Sequence, residues 1–270
     1  MTGTKLLSVA EREFRTVFRT RALLWLSFAF ALVVLGLVRA GSGTGYASIA
    51  ASLLTPFEIL VPVLALAFAY RSVLEDRRSG ELAMLQTMQL DRSAYVLGVY
   101  CGRATAFLTV IVGTLLAAGV LAALSSGRPD TFLATHSAGD SVFLYLRFAV
   151  LTALFALVVL AAVVAVSALS GSVRAALALA LLLVVALVVG LDLGLTAGLA
   201  TGLIGDESLA WVLSASPNSA YRALVLELVV EPVGGAETTG ISPVLSLAGL
   251  LAWFCGALAV GIRGVWSASD

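Results

Sequence analysis

Apolar positions run almost unbroken through six stretches of the chain, residues 22–38, 47–70, 104–124, 147–169, 174–204 and 243–262. A helix needs about 20 apolar residues to cross a bilayer core, because each residue rises ~1.5 Å and hydrocarbon offers bare backbone groups no partner. Each stretch is therefore a predicted transmembrane helix. The first is short, and the fifth is long enough to tilt or to end in a glycine-loosened turn around "GLDLGLTAGLATGLIG". The expected class is an all-α polytopic membrane protein, a single domain over residues 1–270 with six transmembrane helices.

Two connecting segments carry a pattern of their own. Residues 5–21 place Leu6, Leu7, Ala10, Phe14, Val17 and Phe18 on one helical face and Ser8, Arg12, Arg15 and Arg19 on the other. That spacing predicts an amphipathic interfacial helix with its basic face toward anionic headgroups, or else a cytosolic extension of the first span. Residues 205–242 hold two apolar pieces too short to span, around Ser216, Pro217 and Asn218. They suit an outer helical hairpin, re-entrant or interfacial.

Charge sets the orientation. Lys5, Arg12, Arg15, Arg19, Arg21, Arg71, Arg77, Arg78, Arg92, Arg103, Arg174 and Arg263 fall on one side of the six spans, against Arg39, Arg128, Arg147 and Arg222 on the other. The excess predicts a plasma-membrane protein with both termini cytoplasmic. The leader contains Glu11 and Glu13 and no small-residue cleavage site follows it, so the first span is expected to be a retained anchor. Composition agrees: 60% hydrophobic, 12% charged, mean hydropathy +1.06 and no net charge, which gives no reason to expect a nucleic acid partner. Cys101 and Cys255, far apart in apolar surroundings, are expected to be buried thiols rather than a disulfide or metal pair.

The most informative departure from this greasy pattern is "LEDRRSGELAMLQTMQLDR", residues 74–92. A plain turn between spans two and three needs about two to eight residues. Here the excursion is several times longer, and Glu81, Leu82, Leu85, Met88 and Gln89 recur at helical spacing. A short helix parallel to the membrane, offering Leu82, Leu85 and Met88 to something outside, fits this pattern; so does a solvated polar loop. Asp91 is placed to cap the helix entering span three.

The order of residues in "ED…SGELAMLQ…LDRSAYVLG", after a basic amphipathic helix and two spans, resembles the coupling-helix region of ABC type II exporter permeases. The matching positions are Glu75, Gly80, Leu82, Leu85, Arg92 and Gly98, with Gln89 and Val99 where such permeases often have proline and lysine. Within that family the likeness to NosY-like permeases of the nitrous oxide reductase maturation system extends over the six spans, "LDLGL" in the fifth and "SPNSAYR" in the outer connection. The resemblance implies a non-catalytic transporter subunit. A separate cytosolic ABC ATPase would seat on the coupling helix, touching Glu75, Asp76, Gly80, Glu81, Leu82, Leu85, Met88 and Arg92. It also implies a second copy of the chain as partner and, for the NosY-like subtype, an extracytoplasmic accessory protein near Pro217, Asn218, Tyr221 and Arg222. ATP would bind the partner subunit and no cofactor this chain: its only lysine is Lys5 and no GxxxxGK[ST] occurs.

Two acids lie within the spans. Glu58, midway along span two between Pro56 and Pro62, should face the bundle interior as a pathway residue, or sit at a wet outer interface if the prolines break the helix. Asp192 falls eighteen residues after Arg174, near the outer edge of span five, as a pathway or gate-lining acid. Met84 and Met88 could offer thioethers to Cu(I), although packing is the commoner use. The sole histidine, His136, cannot build a zinc protease site. The competing readings are an exporter of a lipid, peptide or drug and, from another class, a receptor or scaffold that moves nothing.

Overall fold

The computed structural model describes residues 2–41, 45–87, 91–124, 141–190, 193–194, 197–198, 201, 213–234 and 242–267. Among them every regular element is helical. In chain order these are α1 (Thr2–Arg19), α2 (Arg21–Ala40), α3 (Tyr46–Ala69), α4 (Ser72–Arg78), α5 (Glu81–Thr87), α6 (Arg92–Leu124), α7 (Val142–Leu169), α8 (Val173–Val185), α9 (Pro217–Val225), α10 (Glu231–Gly234) and α11 (Pro243–Ser267). Among the described residues six helices are long and apolar enough to cross a membrane: α2, α3 with α4, α6, α7, α8 with its terminal π turn (Ala186–Gly190), and α11.

The bundle is built around α7, which is apolar on every side and packs against α3, α6 and α11. A helix without a polar face has no orientation preference of its own and is buried wherever neighbours can surround it. Phe148 and Phe155 fill its contacts, Phe148 meeting the edge of Phe57 on α3 at 5.9 Å between ring centroids. The peripheral α2 and α8 instead leave Trp25, Phe28, Leu32, Leu181 and Leu182 uncovered, as a lipid-facing surface does. Cys101 and Cys255 also lie on the exposed surface rather than in the core, because they sit on faces of α6 and α11 turned away from other helices.

Three features differ from the hydropathy pattern. The helix entering span three begins at Arg92, well before the apolar stretch at 104, because Ala94, Tyr95, Val96 and Val99 are buried against other helices. One of these is α1. It does not present its whole basic face to headgroups: it packs along α6 through Val9, Glu13 and Val17, while Leu7 and Phe18 stay exposed. Gly98 and Gly102 make this contact possible. A Cβ on Gly98 would stand 2.8 Å from that of Val9, and one on Gly102 would overlap the Ala10 carbonyl. Finally, α3 runs without a break through Pro56 and Pro62. Neighbouring helices in a membrane bundle tolerate such prolines by re-satisfying the freed backbone groups, so the broken-helix placement of Glu58 is set aside.

Candidate functional site

At the end of the bundle that holds α1 and the last turn of α11, α4 and α5 form the polar excursion. Gly80 separates them with φ of 79°, a left-handed conformation that costs a residue with a Cβ about 1–2 kcal/mol. α4 is fixed to the bundle from below. Ser167 Oγ accepts from the Val73 and Leu74 amides at 3.1 and 3.3 Å. The Arg77 guanidinium donates to the carbonyls of Ser170 at 2.6 Å, Ala168 at 2.8 Å and Val265 at 3.0 Å. The last carbonyls of a helix have no partner within it and carry the negative end of its dipole, so one cation here closes the ends of α7 and α11 together.

Arg12 is the second fixed point. Its Nη2 lies 2.5 Å from Asp76 Oδ2 and 3.1 Å from Glu13 Oε1, and its Nη1 bonds Glu81 Oε2. Tyr95 donates its hydroxyl to the same Asp76 oxygen at 2.7 Å. Arg103 continues the network, with Nε 2.8 Å from Glu13 Oε2 and Nη1 on the Phe68 carbonyl. Burial works against the Arg12 charge, but Asp76, Glu13 and Glu81 outweigh it and raise its pKa above the ordinary arginine value. The guanidinium therefore stays charged and binds α1, α4 and α5 into one unit.

This geometry redistributes the residues expected to contact an ATPase. Asp76 is buried under Arg12 and Tyr95, and Leu82 is 3% exposed and packed into the core, so neither presents a side chain outward. Glu81 is half-exposed but engaged by Arg12; Glu75 is exposed and pairs with Arg71 at 3.2 Å. Arg92 is exposed at the first turn of α6 and Gly80 forms the α4–α5 bend. Among the described side chains of α5 the outward apolar one is Met84, 60% exposed. Leu85 belongs to α5, its side chain outside what is described, and Met88 and Gln89 lie outside the described residues. Sequence reasoning missed Arg12, Glu13, Arg77 and Arg103 because their partners are distant in the chain.

At the opposite end α9 turns back into the bundle. Ser216 caps α9, accepting from the Ser219 amide at 3.4 Å, and Pro217 starts its first turn. Tyr221 stacks on Phe155 with centroids 4.6 Å apart and planes 8° from parallel, and its hydroxyl meets Thr152 Oγ1 at 2.8 Å. Trp253 Nε1 donates to the Ala215 carbonyl at 2.7 Å. Thr152 and Trp253 each lie ten residues inside their helices, about 15 Å from the helix starts, so α9 begins at depth rather than on the surface. Pro217, Asn218 and Tyr221, the residues expected near an accessory protein, are consequently buried in the bundle rather than exposed.

Arg222, expected at the same contact, reaches into the bundle. Its Nε and Nη2 bond Glu58 Oε1 and Oε2 at 2.7 and 2.6 Å, a bidentate pair in which Glu58 is 2% exposed and Arg222 nearly half-exposed. Glu58 and Arg222 are 164 residues apart, and nothing in periodicity or composition links them. Asp192 lies outside the described residues.

A family model described as ABC-2 family transporter protein matches residues 7–267. The chain is 31% identical over 128 residues to "Probable ABC transporter permease protein NosY" of Stutzerimonas stutzeri, covering 44% of this chain and 46% of that protein. It is 29% identical over 161 residues to the protein of the same description from Pseudomonas aeruginosa, covering 53% and 58%. The chain spans about half the length of the curated relatives it matches. With the family match running from Leu7 to Ser267, through all six membrane-length helices and the polar excursion between the second and third, this chain belongs to the ABC-2 family of transporter proteins.

Proposed function

We propose that this chain is the membrane-spanning permease subunit of an ATP-driven transporter in which a separate cytosolic ABC ATPase seats on α5. The observation that carries this reading is the rigid attachment of the excursion. Arg12 ties α5 and α4 to α1, and Arg77 ties α4 to the ends of α7 and α11. A push on α5 is thereby delivered to the two helices that pack most closely at the bundle's centre, moving them as a body. A solvated loop would need none of these bonds. The basic end is assigned to the cytoplasm by its excess of arginine. Six spans make half a transporter, so two copies of the chain assemble with two ATPases.

The subtype we favour is NosY-like, serving copper-site assembly of nitrous oxide reductase outside the cytoplasm; the two relatives of that description support it. Glu58 in this reading tethers the re-entrant α9 to span two, next to any route the substrate takes.

Met84→Asp is the direct test of coupling, because Met84 is exposed and its replacement leaves the Arg12 and Arg77 bonds in place. Membrane yield should be unchanged and co-purification of the ATPase lost; an ATPase retained at wild-type stoichiometry overturns the docking assignment. For the subtype, expression in a nitrous-oxide-reducing host lacking its own permease should restore the reductase's copper-centre absorbance, and unrestored absorbance with correctly inserted protein excludes it. A cysteine at Ser208, with Cys101 and Cys255 replaced, should react with an impermeant reagent on intact cells; labelling only after lysis reverses the orientation.

A further inference from the structure

Where α1 meets α2, a cavity of about 430 Å³ opens at the basic end between these helices, the end of α3 and the side of α6. Its lining divides by exposure. Half-buried Leu23, Leu26 and Ala67 form an apolar inner wall, while exposed Thr20 and Arg71 form a polar rim. The rim lies where the chain enters and leaves the membrane: Arg21 opens span one and Tyr70 follows the last residue of α3. A pocket of this size holds a small amphiphile's head and the upper part of a chain.

Charge selects the head. Arg103 is side-chain buried, 11% exposed, and held in place by Glu13 and the Phe68 carbonyl, so it forms a fixed floor whose charge Glu13 balances, and the selecting charge lies at the rim. Arg71 stands at the rim, its guanidinium 5.8 Å from the Tyr70 ring centroid, in an exposed pair with Glu75 that an incoming anion can displace. Arg19 and Arg21 flank Thr20 and are exposed, with no ion pair among the described residues. Glu75 is the one carboxylate of the lining, set against these cations.

We propose that this cavity binds an anionic phospholipid, its phosphate at the rim between Arg71 and Thr20, with exposed Arg21, which flanks the lining between Thr20 and Ala22, supplying positive charge beside it, and one acyl chain along Leu23 and Leu26. The bound lipid joins α1, which carries Arg12, to the membrane surface. A soluble phosphate would use the rim alone and leave the apolar wall without a function; that chemistry is shared, and the experiment separates the two.

The full chain is placed in nanodiscs of phosphatidylcholine with a minor fraction of spin-labelled phosphatidylglycerol, and the motionally restricted fraction is measured. Wild type should restrict phosphatidylglycerol in preference to spin-labelled phosphatidylcholine. Arg71→Gln and Arg21→Gln should each lower that preference about fivefold, the factor for one basic residue at an anionic surface. Arg263→Gln, a cation removed from the same end on a helix that does not line the cavity, should leave it unchanged. Leu23→Trp, which fills the inner wall, should remove restricted phosphatidylglycerol even with every arginine present; folding is checked by thermal melting. Unaltered preference in Arg71→Gln and Arg21→Gln, or an equal loss in Arg263→Gln, overturns the site. Displacement by millimolar inorganic phosphate together with an unaffected Leu23→Trp variant overturns the lipid assignment in favour of a soluble anion. None of these readouts involves the ATPase.

Discussion

The Glu58–Arg222 pair makes a prediction whose size depends on which partner is removed. Breaking a buried pair from one side costs about 3–5 kcal/mol, because an uncompensated charge remains. The two partners are not equally buried: Glu58 is 2% exposed and the Arg222 side chain 43%. Arg222→Leu strands a carboxylate inside the bundle, so the full effect applies, about 3 kcal/mol. Glu58→Gln leaves an amide in place of the carboxylate and an arginine that can turn to water, and should cost about 1 kcal/mol after solvent screening. For a chain of this size each kcal/mol shifts the melting temperature by about 2–4 °C, which gives a fall of roughly 6–12 °C against roughly 2–4 °C. The double variant Glu58→Gln/Arg222→Leu leaves neither charge and should melt above Arg222→Leu alone. Differential scanning fluorimetry of the detergent-purified protein reads all three. If Arg222→Leu is no worse than Glu58→Gln, or the double variant loses the sum of the two, the pair is not a tether of the re-entrant helix and the reasoning fails.

Three further predictions concern the basic end of the bundle. Gly102→Ala pushes a Cβ into the Ala10 carbonyl and should cost about 1–3 kcal/mol, seen as faster proteolysis within α1 while the spans stay protected. Arg77→Met removes three bonds to the α7 and α11 carbonyls and should lower thermal stability by about 2–3 kcal/mol; an unchanged melt would mean that water replaces the guanidinium there. Gly80→Ala places a Cβ at φ of 79° with free space around it, so the strain of about 1–2 kcal/mol is purely local. It should weaken ATPase co-purification with little change in the melt of the spans.

The family was legible in the order of polar residues after the second span, because spacing along a helix is a local property that a sequence displays directly. The attachment of that helix was not. Asp76 and Leu82 have the sequence of a docking surface, yet Asp76 is used by Arg12 and Tyr95, 64 and 19 residues away, and Leu82 by the core. For α1 the apolar face was identified but not Val9 and Glu13 as its centre; a carboxylate reads as solvent-facing until Arg103 is seen beside it.

Hydropathy alone determined that the chain is a six-span helical membrane protein, since backbone groups in hydrocarbon must bond within their own helix and only long apolar runs meet that demand. The tertiary structure alone decided how the isolated charges are neutralised: Glu58 by Arg222, Glu13 by Arg103, Asp76 by Arg12, and the ends of α7 and α11 by Arg77. Each partner is supplied from another helix. A buried charge needs an opposite one within a few ångströms, and which helices come that close is set by packing in three dimensions, not by spacing along the chain.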